Sequence, residues 1–469
     1  MSDIKFGTDG WRAIIADEFT VENVARITTA TGLWIKKNFE NNLSVVIGHD
    51  CRFAGSLFME TAAKVLVSQG IKVYQADSII TTPMISLAAK ELNTAIGIVL
   101  TASHNPPSYN GFKLKGHYGG PLTSDKISEV EVLIPSKNNL DLGEVNLSEM
   151  EENGLLEHVD LETMYINKIK SSFDLDAIKN SGLHFAYDAM YGAGQFVMKK
   201  IFPDMSFLHC DYNPSFDGQA PEPIAKNLNP FSKFIKNNGE IAAGLATDGD
   251  ADRIGLFDEK GDFVDSHHIL LLLLLYLHKY KSMNGKVVVA ASTTPRVVKL
   301  AEMWGLEHDT VQIGFKHIAQ QMINEDVLIG GEESGGIAIK GHIPERDGIW
   351  MGLVIWEYMA KTGKSIDDLI DEVYNIVGTF AFERIDLKLS ETKKNKIIEN
   401  CINDKYNLFD DLEVIKTERI DGYKYFFDDH SWVMIRPSGT EPVLRTYAEA
   451  STQEKALLIL NKVHKTLLE

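Results

Sequence analysis

Ser103 lies in the segment Thr-Ala-Ser-His-Asn-Pro-Pro at 101–107, three residues past an apolar run that predicts a buried strand. A serine at the end of such a strand is a candidate nucleophile. His104 beside it is one candidate for its proton acceptor. Lys113 is another, because burial near a divalent cation can lower the pKa of a lysine. The segment lacks the G-x-S-x-G elbow of acyl-transfer hydrolases, so a different transferred group is indicated.

Three carboxylates alternate along a second segment, at Asp248, Asp250 and Asp252. Short side chains at this spacing can converge on one hard cation. A solvated acidic turn is the alternative. A calcium loop of the EF-hand type is disfavoured, because Arg253 occupies the position at which that loop needs glycine. Mg²⁺ fits better, since a few carboxylates, water and phosphate oxygens satisfy it, and Arg253 itself suits a phosphate anchor.

A third segment, 330–336, is rich in glycine and carries Glu332 and Ser334. Glycines let the backbone approach a ligand closely. A carboxylate and a hydroxyl can accept and share hydrogen bonds with the hydroxyls of a sugar. A flexible acidic turn is the alternative. This segment therefore predicts a sugar site only in combination with the other segments.

Two further segments are suited to anions. A turn at 436–442 combines an arginine, two hydroxyls and a glycine, and a second arginine follows it closely. Such a turn can form a backbone nest for phosphate. A loop at 6–12 adds one more cation, although an ordinary β-turn is its alternative. The residues concerned are Arg436, Ser438, Gly439, Thr440, Arg445 and Arg12.

The elements that must position these groups are short apolar strands separated by amphipathic helices, which predict α/β units with largely parallel sheets. The serine, acidic and glycine-rich segments each follow a predicted strand, at 95–100, 245–246 and 327–329. Because ligands bind beyond the carboxyl ends of strands in such sheets, we expect the three loops to face one cleft. The last 95 residues or so carry longer strand-like segments and predict an α+β domain.

Composition restricts the classes of function. A chain of 469 residues is long enough for three or four domains, with a first boundary expected in the polar stretch 136–152. The net charge of −19 argues against nucleic-acid and anionic-membrane partners. Three cysteines without C-x-x-C spacing predict reduced thiols. No apolar block reaches the ~20 residues of a membrane helix, and no secretory signal is visible, so we expect a cytoplasmic enzyme.

Taken in order, these motifs resemble those of the α-D-phosphohexomutase superfamily, which contains the phosphoglucomutases and phosphomannomutases. The resemblance runs over essentially the whole chain, from the loop at 6–12 to the turn at 436–442. It implies three similar mixed-sheet α/β domains and a C-terminal α+β domain around a central cleft. The corresponding domain boundaries are 1–148, 149–258, 259–374 and 375–469.

The resemblance also implies roles for the residues. Ser103 would be phosphorylated, and its phosphate would complete the Mg²⁺ site of the three aspartates. Lys113 would transfer protons, with His104 in support, and Arg12 and Arg253 would flank the reacting centre. Glu332 and Ser334 would hold sugar hydroxyls. The remaining substrate ligands would be Lys316, Arg436, Ser438, Gly439, Thr440 and Arg445.

The implied reaction converts a hexose 1-phosphate into its 6-phosphate through a hexose 1,6-bisphosphate, which would also act as activator. The Glu332-Glu333-Ser334 sequence resembles the phosphoglucomutase branch and lacks the glutamine of phosphoglucosamine mutases. Gly336 stands where some dual-specificity enzymes have histidine, and His342 is a possible substitute. We expect glucose phosphate, with mannose, glucosamine or pentose phosphates as alternatives. A non-catalytic phosphosugar sensor and a phosphatase are less favoured, and a monomer or a homo-oligomer fits equally.

Overall fold

The structure is a computed structural model, and it describes residues 4–427, 429–437 and 443–469. The chain forms two compact units. The first runs to Gly285 and also contains Gly314–Leu369, and the second consists of Lys286–Ile313 and Ile370–Glu469. Both are built from sheets and helices, so the predicted α/β class is confirmed.

The first sheet has the strand order β1-β5-β4-β2-β3-β7, with the short β6 paired to β5. Strands β4, β2, β3 and β7 run parallel, whereas β5 is antiparallel to both β4 and β1. Strand β7 lies beyond the predicted boundary at 148 and still pairs with this sheet. The elements are β1 (Trp11–Ile14), α1 (Val21–Asn38), β2 (Ser44–His49), α2 (Gly55–Ser68), β3 (Lys72–Ala76), α3 (Thr82–Glu91), β4 (Ile96–Leu100), β5 (Tyr109–Gly116), β6 (Gly120–Pro121), α4 (Ser124–Val132), α5 (Leu147–Glu152) and β7 (Leu156–Val159).

The second sheet has the order β12-β11-β10-β8-β9. Strand β10 is parallel to β8 and antiparallel to β11, so the acidic segment forms the connection between two neighbouring antiparallel strands. The elements are α6 (Leu161–Ser172), α7 (Leu175–Lys179), β8 (His184–Asp188), α8 (Gly194–Ile201), β9 (Ser206–Leu208), α9 (Asn229–Asn237), β10 (Ile241–Thr247), β11 (Ile254–Phe257) and β12 (Phe263–Val264).

The next elements contribute to both units. In the first, β15 pairs with β16 antiparallel, and in the second β13 pairs with β14 parallel. Helix α10 is apolar on all sides and buried, as expected of a helix within a core. Among the described residues, no helix is long and apolar enough to span a bilayer. The elements are α10 (Ser266–Leu275), β13 (Lys286–Ala290), α11 (Pro295–Met303), β14 (His308–Val311), α12 (Phe315–Asn324), β15 (Val327–Gly331), β16 (Ile337–Ile339), α13 (Gly348–Thr362) and α14 (Ile366–Val377).

The C-terminal elements form an antiparallel sheet of order β17-β23-β22-β21-β20. Helices α15 and α16 share one core with it, which is the predicted α+β arrangement. The segment 413–427 has a strand-like pattern but does not form one long strand, because the chain turns between β20 and β21 at Gly422, whose φ is +93°. The elements are β17 (Ala381–Lys388), α15 (Glu391–Ile402), β18 (Leu408–Phe409), β19 (Leu412–Glu413), β20 (Lys416–Glu418), β21 (Tyr423–Phe426), β22 (Trp432–Pro437), β23 (Val443–Ala450) and α16 (Gln453–Leu468).

Candidate active site

Residues 101–108, here called the serine loop, follow β4 directly, and Ser103 is fully buried in this loop. Its backbone is left-handed, with φ at +52°, a conformation that costs a non-glycine residue about 1–3 kcal/mol and persists only where the surroundings impose it. The Ser103 backbone N–H donates to Thr101 Oγ1 at 2.9 Å, and its Oγ donates to Asp248 Oδ2 at 2.7 Å. The serine hydroxyl is therefore aimed at the acidic loop.

The acidic loop lies between β10 and β11, and Asp248, Asp250 and Asp252 are all buried. One carboxylate oxygen from each lies within 4.8 Å of the other two. The Oδ1 atoms of Asp250 and Asp252 are buried without a hydrogen-bond partner. Burial, reinforced by the two neighbouring aspartates, raises the pKa of Asp248 well above its usual range. This oxygen-only donor set with unsatisfied atoms fits a hard divalent cation such as Mg²⁺.

Lys113 lies on β5 and is fully buried among carboxylates. Its Nζ is 2.8 Å from Asp9 Oδ2, 2.8 Å from Asp250 Oδ2 and 3.1 Å from Asp252 Oδ2. Burial alone lowers the pKa of Lys113, but these three carboxylates outweigh it and raise the pKa above its usual range. The fall expected for this pKa depends on a bound dication and stays a prediction, and the three carboxylates, whose number the sequence does not show, act against it.

The pKa of His104 is shifted in the direction opposite to that of Lys113, so its imidazole is neutral. Its Nδ1 lies 3.4 Å from Ser103 Oγ, and its Nε2 lies 3.5 Å from Arg253 Nη2. Burial, with the charge of Arg253 and then of Arg12, holds the pKa of His104 well below its usual value. A neutral imidazole thus stands beside the candidate nucleophile while Lys113 keeps its proton.

Two arginines border the serine and acidic loops. Arg12 Nη1 donates to Asn105 Oδ1 in the serine loop at 2.8 Å. The backbone N–H of Arg253 donates to Asp248 Oδ1 at 3.0 Å, and its Nη1 is 3.5 Å from Glu222 Oε1. Guanidinium groups in these places can bind the oxygens of a phosphoryl group at Ser103.

The glycine-rich loop joins β15 to β16. Glu332 Oε1 accepts a hydrogen bond from Ser334 Oγ at 2.8 Å and lies 3.7 Å from Arg346 Nη1, whereas Glu332 Oε2 is buried without a hydrogen-bond partner. A Cβ at Gly336 would lie 2.4 Å from Arg346 Cδ. A histidine at position 336 is therefore incompatible with Arg346 where it stands.

His342 does not replace that histidine. Its ring stacks on Trp350 with centroids 3.6 Å apart, and its Nε2 bonds to Asp347 Oδ2 at 2.9 Å. Asp347 also caps α13 by accepting from the Trp350 backbone N–H. His342 is thus part of a buried structural cluster, and the suggestion that it acts at the sugar loop is wrong.

Sequence reasoning missed Asp9 and Arg346, which connect three of these loops. Arg346 is buried and contacts both Asp9 and Asp252, the latter at 2.5 Å. Asp9 also lies 3.4 Å from Lys115 Nζ, which pairs with Glu345 at 2.7 Å. Asp9 lies in the recognised loop at 6–12, but a lone arginine before a helix carries no spacing that could have revealed Arg346.

The remaining predicted substrate ligands are placed only in part. Lys316 is the second residue of α12 and lines a cleft of about 170 Å³ together with Thr8 and Asp9. Ser438, Gly439 and Thr440 lie outside the described residues. Arg436 and Arg445 are direct cross-strand partners on β22 and β23, and Arg436 Nε donates to Asp421 Oδ1 at 3.0 Å. Lys316 belongs to the first unit and the two arginines to the second.

Comparison with known proteins gives consistent matches along the chain. Four sequence families match in order: phosphoglucomutase/phosphomannomutase alpha/beta/alpha domain I over residues 3–141, domain II over 163–261, domain III over 265–377 and the C-terminal domain over 399–465.

Full-length proteins match as well. A phosphoglucomutase/phosphomannomutase of Thermococcus kodakarensis is 31% identical over 457 residues, which cover 96% of this chain and 95% of the relative. A phosphoglucosamine/phosphogalactosamine mutase of Sulfurisphaera tokodaii is 28% identical, covering 98% of each chain. The crystal structure of a candidate phosphomannomutase from Thermus thermophilus superimposes with a TM-score of 0.87 over 100% of both chains, at 31% identity. The chain therefore belongs to the phosphoglucomutase/phosphomannomutase family of the α-D-phosphohexomutase superfamily and is an enzyme of the phosphohexomutase class.

Proposed function

We propose that this phosphohexomutase interconverts glucose 1-phosphate and glucose 6-phosphate, with Ser103 as the residue that carries the phosphoryl group. The observation that supports the proposal best is the buried hydrogen bond of 2.7 Å between Ser103 Oγ and Asp248 Oδ2. It places a hydroxyl nucleophile against a three-carboxylate site with unsatisfied oxygens. A serine hydroxyl and a cation site in contact are the parts that phosphoryl transfer requires.

Two transfers make up the proposed reaction. In the first, the bond between phosphorus and Ser103 Oγ breaks as a bond forms to the free hydroxyl of the hexose monophosphate, giving a hexose 1,6-bisphosphate. The sugar hydroxyl loses a proton and Ser103 Oγ gains one. Neutral His104 and protonated Lys113 together supply one proton acceptor and one donor. After the bisphosphate turns around, its other phosphoryl group returns to Ser103 by the same steps.

Charge compensation accounts for the other groups near Ser103. A phosphoserine carries about −1.5 to −2 charges, which three adjacent aspartates would repel. Mg²⁺ held by Asp248, Asp250, Asp252 and a phosphoserine oxygen would offset that charge on the transferring group. Arg12 and Arg253, which border the same two loops, bind the phosphoryl oxygens that remain.

Substrate binding is assigned to the other loops. Glu332 and Ser334 hold sugar hydroxyls. Glu332 Oε2 makes no hydrogen bond within the protein and can accept one from a sugar hydroxyl. The phosphate that is not transferred binds to cationic and hydroxyl groups that must accept it in both orientations of the intermediate. These phosphate ligands are Arg436, Ser438, Gly439 and Thr440, whereas Lys316 and Arg445 are assigned to substrate binding in general.

The charge of the sugar loop favours a neutral sugar. The guanidinium of Arg346 lies 3.7 Å from Glu332 and offsets the negative charge that would attract the ammonium group of glucosamine. The match to the Thermococcus kodakarensis relative points in the same direction. Phosphoglucosamine mutase is the second candidate, because the Sulfurisphaera tokodaii relative covers the chain equally well at 28% identity.

A substrate panel tests the preference. Steady-state rates are measured with the 1-phosphates of glucose, mannose and glucosamine, each with Mg²⁺ and the matching hexose 1,6-bisphosphate. We expect the highest kcat/KM for glucose 1-phosphate. A higher value for either competitor would refute the glucose assignment, and free phosphate released in step with substrate loss would indicate a phosphatase.

Intact-mass measurement tests the phosphoserine. The wild-type protein incubated with glucose 1,6-bisphosphate should contain a species heavier by one phosphoryl group. Ser103→Ala should lack this species and the mutase activity while it keeps the wild-type far-UV circular dichroism spectrum and a cooperative unfolding transition. Mutase activity retained in Ser103→Ala would exclude Ser103 as the carrier.

A further inference from the structure

Arg52, which lies just after β2 and has no role in the proposed reaction, is buried beneath the serine loop. Its Nη1 donates to the carbonyl oxygens of Pro106 and Tyr109, each at 2.9 Å. Its Nη2 donates to the carbonyl oxygens of Ser103 and Asn105, each at 2.7 Å. One guanidinium group thus binds three backbone carbonyls of the serine loop and that of the first residue of β5, and one of the four belongs to the candidate nucleophile.

A second set of contacts reaches the other side of Ser103. Asp50 Oδ1 accepts from the backbone N–H of Arg52 at 2.9 Å, and Asp50 Oδ2 lies 3.4 Å from Arg52 Nε. The same Oδ2 accepts from Thr101 Oγ1 at 2.5 Å, and Thr101 Oγ1 accepts from the Ser103 backbone N–H. Both the amide and the carbonyl of Ser103 are therefore fixed by groups that connect to Arg52.

Other groups fix Arg52 in turn. The ring of Phe216 lies 5.0 Å from Arg52 Cζ, a distance at which a guanidinium is attracted to an aromatic face. Asp50, Arg52 and Thr101 are buried almost completely, so water does not compete for these hydrogen bonds. This environment is what a residue in a left-handed conformation, such as Ser103, needs in order to persist.

We propose that Arg52 is a positioning residue for phosphoryl transfer, which holds the serine loop in the one conformation that directs Ser103 Oγ to the acidic loop. The inference rests on the proposed role of Ser103 as phosphoryl carrier. It does not require Arg52 to touch the substrate. Its action is on the backbone, so it affects the reaction rate and not the recognition of the sugar.

Lysine cannot take over this role. A guanidinium group has five N–H donors in a planar fork, whereas an ammonium group has three donors at one point. The four carbonyls that Arg52 binds are distributed over residues 103–109. Arg52→Lys therefore keeps the charge and most of the side-chain volume but loses some of the four hydrogen bonds to these carbonyls.

The test compares full-length Arg52→Lys with the wild type in the presence of Mg²⁺ and glucose 1,6-bisphosphate. We expect kcat to fall about 100-fold, the loss associated with a misplacement of about 1 Å, with KM nearly unchanged. The rate at which Ser103 gains a phosphoryl group, followed by intact mass, should fall in parallel. Arg26→Lys is the matched control, because Arg26 is also buried and donates to a backbone carbonyl, that of Pro135 at 2.7 Å, outside the serine loop.

The result that overturns the inference is an Arg52→Lys enzyme with wild-type kcat and phosphorylation rate, or an equal loss in Arg26→Lys. If Arg52→Lys does not fold, Thr101→Val decides, since it removes the acceptor of the Ser103 amide and keeps the side-chain shape; undiminished phosphorylation of this variant overturns the inference. The wild-type reaction separates the two proposals. A wild type that takes up no phosphoryl group contradicts the role of Ser103, whereas equal uptake by wild type and variant contradicts only the role of Arg52.

Discussion

Gly249→Ala is predicted to separate the acidic loop from the serine loop. Gly249 lies between Asp248 and Asp250, and a Cβ built on it would be 2.6 Å from the carbonyl oxygen of Ser103 and 3.3 Å from Pro221 Cγ. Ordinary contact begins at 3.4 Å, so the two loops must move apart by about 0.8 Å. The nearer neighbour is backbone held by Arg52 and has no flexible end that could yield.

The size of the effect follows from that movement. The bond between Ser103 Oγ and Asp248 Oδ2, now 2.7 Å, would lengthen to about the limit of a hydrogen bond. Since a misplacement of about 1 Å at a reacting centre can cost about 100-fold in rate, we expect kcat to fall by about 30- to 100-fold. KM for the hexose phosphate should change little, because Glu332 and Ser334 are not displaced.

The assay is the steady-state mutase rate at saturating Mg²⁺ and glucose 1,6-bisphosphate, with a melting curve for each variant. Gly239→Ala is the matched control, because a Cβ there meets nothing within 4 Å and neither glycine has a positive φ. A Gly249→Ala enzyme that kept the wild-type kcat would refute the close apposition of the two loops. An equal loss of kcat in Gly239→Ala would refute the explanation that the added methyl group clashes with the serine loop.

Three further predictions concern the cation, the core and pH. EDTA should abolish the mutase rate and Mg²⁺ should restore it, and an enzyme indifferent to chelation would contradict the assignment of a cation to the acidic loop. Tyr165→Phe removes a buried hydroxyl that donates to both oxygens of Asp347, so urea unfolding should show a loss of about 1–3 kcal/mol with kcat unchanged; an unchanged midpoint would contradict this. Asp265 caps α10, and although burial acts to raise its pKa, the His268 imidazole holds it well below the usual range. The contribution of the ionised Asp265 carboxylate to stability is therefore present above about pH 4 and lost below it. The difference in melting temperature between the wild type and Asp265→Ala should shrink on acidification. A difference that stayed constant would refute the assignment.

The arrangement of strands and loops follows from the sequence to a large extent. The apolar runs at 95–100, 245–246 and 327–329 predicted strands. The last residue of each run lies within three residues of the last residue of β4, β10 and β15, respectively. Alternating or continuous apolar runs are local signals, and the loops that follow them are then placed by the rule for the carboxyl ends of strands. The structure accordingly brings Ser103, Lys113 and the acidic loop together, as the sequence predicts.

The protonation of the site could not be predicted in this way. Burial of Lys113 indicated a lowered pKa, but its amine lies within 3.1 Å of three carboxylates, one of which belongs to Asp9, more than one hundred residues away in sequence. A Coulombic interaction at such distances exceeds the effect of burial. Which of two opposing contributions is larger depends on tertiary distances, and spacing along the chain does not contain them.

Arg52 and Arg346 differ from Ser103 and the aspartates in that no sequence pattern marks them. Ser103 and the aspartates follow the ends of β4 and β10, and that position leaves a pattern of apolar run, polar residue and glycine or proline. A residue that supports a loop from beneath needs only to reach it. Arg52 comes from the end of β2, and Arg346 from the segment before α13. Each is a single buried charge whose guanidinium Nη atoms bond to groups more than fifty residues away, and such partners are visible only once the chain is folded. We therefore expect positioning residues of this kind to be found by their hydrogen bonds to loop carbonyls, and not by motif.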